Sequence, residues 1–164
     1  MKKTIYLLLF SFILVACQTE DNKGNDSLAK FEINKLTNSK IAFEDEGKLI
    51  LNVSDHKILE TFKAFNKTME LQLDPERFEI IKVEDKNYLR FFSKNNQVST
   101  IALEKGSDNI YRTGSTVCTS TACASGGGCI PNGNYCTKCR PEGTPPKAPD
   151  GDCRRTTTGE DSIK

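Results

Sequence analysis

Runs of apolar and polar positions change rhythm several times along this chain. Residues Ile5–Ala16 are apolar apart from Ser11. Residues 18–39 are polar, with Leu28, Phe31, Ile33 and Leu36 as their large apolar side chains. A stretch so poor in apolar surface cannot offset the entropy of ordering it, so most of it reads as a flexible spacer, with at most one edge strand at the Phe31 and Ile33 alternation. Lys48–Val53 has the composition of a strand. Ser54 or Asp55 then offers a helix N-cap. Ile58, Leu59, Phe62, Phe65 and Met69 recur at helical spacing and form one apolar stripe, with Lys57, Glu60, Lys63 and Lys67 off it. Asp74-Pro75 ends that helical pattern.

A meander follows. Phe78–Glu84, Tyr88–Ser93 and Val98–Glu104 are three strand-like runs, punctuated at Asp85-Lys86-Asn87 and Asn95-Asn96, where Asn accepts the positive φ of a tight hairpin. Ile110-Tyr111 adds a short fourth strand after Gly106-Ser107. From Thr113 onward Gly, Ser, Thr, Pro and Cys dominate and aliphatic residues nearly vanish. The expected fold is therefore α+β: one amphipathic helix packed on a three- to four-stranded antiparallel meander, followed by a cysteine-rich, loop-dominated C-terminal segment. The expected divisions are residues 1–16, a removable leader; 17–39, a tether; 40–112, the α+β domain; 113–153, a cysteine-rich module; and 154–164, a disordered tail. About 70 residues make a small single core. Phe62, Phe65, Phe78, Phe91 and Phe92 read as its aromatic content. Phe91 and Phe92 fall on opposite strand faces, so one of them is expected to be exposed or covered by the helix or the tail.

The first residues give the chain an address. Lys2 and Lys3 precede the apolar run, which matches a signal-peptide core in length and is too short for a bilayer span of roughly 20 residues. Leu14-Val15-Ala16-Cys17 then resembles the lipobox of bacterial lipoproteins: a bulky aliphatic, a tolerant position, a small residue and Cys. The resemblance implies that residues 1–16 are removed and that Cys17 carries a covalent diacylglycerol and an N-acyl chain. Each buried methylene contributes about 0.8 kcal/mol, so several chains anchor stably where one is marginal. Gln18-Thr19-Glu20-Asp21 resembles the export signal of Bacteroidetes surface lipoproteins, although Thr19 stands where that pattern often has Ala. The implied location is the outer membrane, lipid-anchored and facing the cell surface, with the periplasmic face as the alternative. Removing 16 of the 164 residues leaves 148. Without Lys2 and Lys3 the 23 basic residues become 21 against 22 acidic, a net charge of about −1. Nothing in that balance favours nucleic acid or an anionic membrane surface, and the membrane is expected as a partner through the lipid alone.

Seven cysteines divide as one and six. Cys17 goes to lipid. Cys118, Cys123, Cys129, Cys136, Cys139 and Cys153 form an even set in an exported chain and read as three disulfides, with their pairing open. Gly126-Gly127-Gly128 and Pro131-Asn132-Gly133 supply tight turns. Cross-links here replace the packing that the composition cannot provide. Cys136-Thr137-Lys138-Cys139 also has zinc-ligand spacing and the form of a redox pair. However, the tail holds no second such motif and no His, and Arg140-Pro141-Glu142-Gly143 continues as loop rather than helix.

Other chemistry is sparse. His56 stands at the start of the helix with no matched nucleophile. Glu44, Asp45 and Glu46 lack the spacing of a calcium loop and read as a solvated turn. No Gly-x-Ser-x-Gly elbow or phosphate-cradling glycine loop is present. The chain is expected to be a non-enzymatic binding or structural lipoprotein without metal or cofactor, facing an unknown protein or extracellular ligand. Two alternatives stand beside it: an inhibitor or neutralising protein, for instance against a protease, using stapled loops such as Gly126–Gly133, and an envelope redox or metal-handling protein working through Cys136 and Cys139.

Overall fold

Helix α1, Asp55–Thr68, begins where Ser54 adopts extended backbone and its hydroxyl accepts the Lys57 N–H at 3.4 Å. That contact satisfies one of the free amides of the first turn. Ile58, Phe62 and Phe65 are buried, and Leu59 and Met69 are half-buried against the same cluster. The helix closes in a Schellman motif. The Glu70 N–H donates to the Lys67 carbonyl at 3.3 Å and the Leu71 N–H to the Asn66 carbonyl at 2.9 Å. Glu70 takes the left-handed position, φ 52°, that glycine usually occupies there.

The computed structural model describes residues 30–121, 129–137 and 153–158. Within them the strands are β1 Lys40–Asp45, β2 Lys48–Leu51, β3 Pro75–Val83, β4 Lys86–Ser93, β5 Val98–Lys105, β6 Ile110–Ser120, β7 Pro131–Asn132, β8 Tyr135–Cys136 and β9 Arg154–Thr157. Seven of them form one antiparallel half-barrel in the order β2-β1-β6-β5-β4-β3, with β9 added beside β6; β7 and β8 form a separate hairpin. Helix α1 carries the chain from the β2 edge to the β3 edge. The β1–β2 hairpin turns through Glu46 and Gly47, both at positive φ (48° and 77°), as a two-residue turn requires.

The helix stripe lands on β4. The Phe62 ring stacks on Phe91 with centroids 3.9 Å apart, and Phe78 meets Phe91 at 5.9 Å. Leu89, Ile101, Leu103, Val117, Tyr111, Ile41 and Ala42 complete this core. The alternation along β4 sends Tyr88, Arg90 and Phe92 to the outer face. Phe91 is thus the ring under the helix, and Phe92 is half-buried beneath the Arg77 guanidinium, 3.6 Å from its centroid. Tyr88 and Arg90 are also buried. Pro131 and Gly133 of the β7–β8 hairpin border the same hollow as Tyr88, so the sheet is covered on both faces.

The α+β class is as expected, but the sheet is larger than a three- to four-stranded meander. The fourth strand does not stop at Tyr111. β6 runs for 11 residues to Ser120, through the expected boundary at 112/113, so the meander and the cysteine-rich segment share one ladder. Thr113–Ser120 has little aliphatic content, yet Thr and Val suit a pleated surface, and here their small side chains are enclosed by layers on both sides. Arg154–Thr157, placed in the expected disordered tail, forms β9 against Thr116–Thr119. The spacer also ends earlier than expected. Residues 30–39 form no strand, but Ile33 and Leu36 are 2% and 4% exposed. The Thr113 hydroxyl donates to the Leu36 carbonyl, and the Asn38 N–H donates to the Thr113 carbonyl at 2.9 Å. The polar average of that stretch concealed a few anchoring side chains with satisfied backbone.

Phe62→Ala is expected to cost about 3–5 kcal/mol in urea unfolding, because it empties the centre of the aromatic stack. Glu70→Gly should instead raise stability by about 1 kcal/mol, by releasing the left-handed backbone strain. A lowered midpoint for Glu70→Gly would refute the strain assignment.

Candidate functional site

Cys118 sits in β6, fully buried, and pairs with Cys136 of β8 at a Cα separation of 5.7 Å. Cys129, just before β7, pairs with Cys153, just before β9, at 6.1 Å. Both separations suit a disulfide. Cys123 and Cys139 lie outside the described residues, as do Cys17 and the whole of residues 1–29. Because Cys136 is bonded to Cys118, it does not form a dithiol pair with Cys139. Among the described residues no group of three or more His, Cys, Asp or Glu is placed to hold a metal, and no helix is long and apolar enough to cross a membrane. His56 is exposed in the first turn of α1.

The acidic run Glu44-Asp45-Glu46 forms the end of β1 and its turn. Glu44 is engaged inside the fold: Lys105 Nζ lies 2.8 Å from its carboxylate and the Tyr111 hydroxyl donates to it at 2.9 Å. Lys105, and then Tyr111, hold that carboxyl below its ordinary range. This is a brace across three neighbouring strands, from β1 over β6 to β5.

The two bridges converge on a hairpin too small to stand alone. Asn132 and Tyr135 pair across a two-residue turn in which Gly133 has φ 60°. One step further out, the Thr137 N–H donates to the Ile130 carbonyl at 2.9 Å, and the Ile130 N–H to the Thr137 hydroxyl at 3.1 Å. The Cys118–Cys136 bridge pins β8 to the sheet, and the Cys129–Cys153 bridge ties the approach to β7 to β9.

Arg155 of β9 stands opposite Cys118 in register. Its guanidinium donates to the Asn134 carbonyl at 3.0 Å and lies 5.4 Å from the centre of the Tyr135 ring. That is within cation–π range. Tyr135 is 70% exposed; the other exposed large hydrophobic among the described residues, Ile50, is 37% exposed. An aromatic ring held out from a cross-linked backbone with a guanidinium on its face has few rotamers left to lose on binding. Tyr and Arg are also the side chains that most often dominate interface energetics.

The cysteines were legible in the sequence, but Tyr135 and Arg155 were not singled out. One signal was available: Tyr135 is the only aromatic residue after Tyr111. In a segment with no core of its own, an aromatic between a turn and a bridged cysteine has no interior to fill.

Replacing Cys118 and Cys136 together with Ala is expected to lower stability by about 3 kcal/mol, the value of closing a loop of this length. It should also abolish hydrogen-exchange protection of the Thr137 amide, while the amides of β3 and β4 remain protected. Retained protection at Thr137 would show that the hairpin does not depend on the bridge. The chain matches no protein-family model, no curated protein and no solved structure, so the functional reading rests on this surface.

Proposed function

We propose that this protein is a lipid-anchored lipoprotein of the bacterial outer membrane, facing outward, that binds a partner without catalysis through the stapled β7–β8 hairpin. The lipobox at Leu14–Cys17 and the acidic Gln18–Asp21 segment support the anchor and its direction. The observation that carries the binding role is the 70% exposure of Tyr135 on a hairpin bridged to the central sheet, with Arg155 held over its ring. Preorganisation of this kind lowers the entropy lost on association, so a small surface can bind usefully.

The test uses the full-length protein in its host membrane. A photoreactive phenylalanine analogue replaces Tyr135 in one variant and Ile50 in another. The expected result is a discrete cross-linked species from position 135 that disappears when Arg155→Ala is added, and none from position 50. Equal adducts from both positions, or none from 135, would overturn the binding assignment. Separately, Cys17→Ala should move the protein out of the membrane fraction; retention there would overturn the lipid anchor.

A further inference from the structure

A second feature, whose lining does not include Tyr135, lies beyond the C-terminus of α1. A cleft of about 310 Å³ runs between the segment after α1 and the ends of β5, β6 and β9. Glu70, Leu71 and Leu73 line it on the helix side, and Gln97, Thr119 and Arg154 on the sheet side. The sheet register explains its character. Phe91, Ser99, Thr119 and Arg154 are successive partners across β4, β5, β6 and β9, so one row of the concave face passes from aromatic core to hydroxyls to a cation. The Ser99 and Thr119 hydroxyls are bonded to each other at 2.8 Å and buried.

Two residues whose backbones bond to the cleft wall, though they do not line it, carry buried polar side chains without hydrogen-bond partners. Asn66, 3% exposed, has neither amide atom bonded, and its backbone carbonyl holds Leu71 of the cleft wall. Ser93, 8% exposed, has an unbonded hydroxyl, and its backbone N–H donates to the Gln97 carbonyl. Buried polar atoms are rarely left this way, and a small cavity with a few convergent polar groups is the usual form of a ligand site. Glu70 and Arg154 both border the cleft and form no ion pair with each other.

We propose that this cleft binds a small zwitterion, a free amino acid or dipeptide. Arg154 takes the carboxylate in the two-pronged geometry that guanidinium favours. Glu70 takes the ammonium, Gln97 and Thr119 meet the polar backbone, and Leu71 and Leu73 cover an aliphatic side chain. No aromatic side chain among the described lining residues offers a stacking face for a nucleobase or sugar ring, and a single cation is a poor match for a phosphate. The site is separate from the Tyr135 surface, and neither reading depends on the other.

The experiment is calorimetric titration of the mature protein, with Cys17 replaced, using glycyl-leucine and leucine. N-acetyl-leucine, leucinamide, glucose and inorganic phosphate are the comparison probes. The zwitterions are expected to bind, and the two blocked leucines to bind at least ten-fold more weakly. Arg154→Gln and Glu70→Gln should each weaken glycyl-leucine at least ten-fold, and amide shifts should centre on Gln97 and Thr119. Because Glu70 follows α1 and Arg154 lies in β9, loosening of β9 in one variant leaves the other as an independent test. Tyr135→Ala should leave the binding unchanged. Absence of heat with both zwitterions, equal binding of the blocked leucines, preferential binding of phosphate or glucose, or insensitivity to both substitutions would overturn the proposal.

Discussion

Strand β6 has to satisfy backbone hydrogen bonds along two edges for 11 residues, and no single neighbour does this on the edge away from β5. The requirement is met in two pieces. β1 pairs with Ile110–Arg112 and β9 with Thr116–Thr119, and the two lie end to end where the Thr158 hydroxyl meets that of Thr37 at 2.9 Å. β9 is four residues of Arg and Thr with no apolar side chain to hold it. The bridge at Cys153 keeps it beside β6 and so protects an edge that would otherwise be open to pairing with another chain.

The same strand divides the molecule into two kinds of chemistry. Val117 faces the aromatic core beneath α1, where packing supplies stability in the ordinary way. Cys118, its neighbour, faces outward and bonds to β8. Period-two alternation thus lets one strand serve as the wall of a hydrophobic core and the foundation of a covalent scaffold. The outer hairpin needs no apolar interior, which leaves Tyr135 free for contact, and the concave face turns polar only where the helix has already ended.

The parts of this fold that were legible in the sequence are those in which local chemistry and burial agree. Ser54 caps the helix, the Ile58–Met69 stripe packs, and β3, β4 and β5 match the three expected runs to within about three residues at each end. What was hidden depends on partners distant in sequence. Thr113–Ser120 looks like loop until β5 and β9 are beside it; Ile33 and Leu36 look like isolated apolar residues in a spacer until Thr113, about 75 positions later, bonds the backbone around them. The cysteine pairing belongs to the same class, since it is decided by Cα separations that only the sheet creates.

The meeting of Thr37 and Thr158 has a mechanical consequence. A pull on the chain at residue 30 enters the fold first through Phe31, whose N–H donates to the Asn52 carbonyl just before the helix cap, and then through residues 36–39, whose bonds run to Thr113 and Thr158. The load is therefore shared between the β2–α1 connection and β6, which passes its part through Cys118 into the outer hairpin. A tug between residue 30 and the outer hairpin would thus be borne by a cross-linked strand together with the core that Ile33 and Leu36 join.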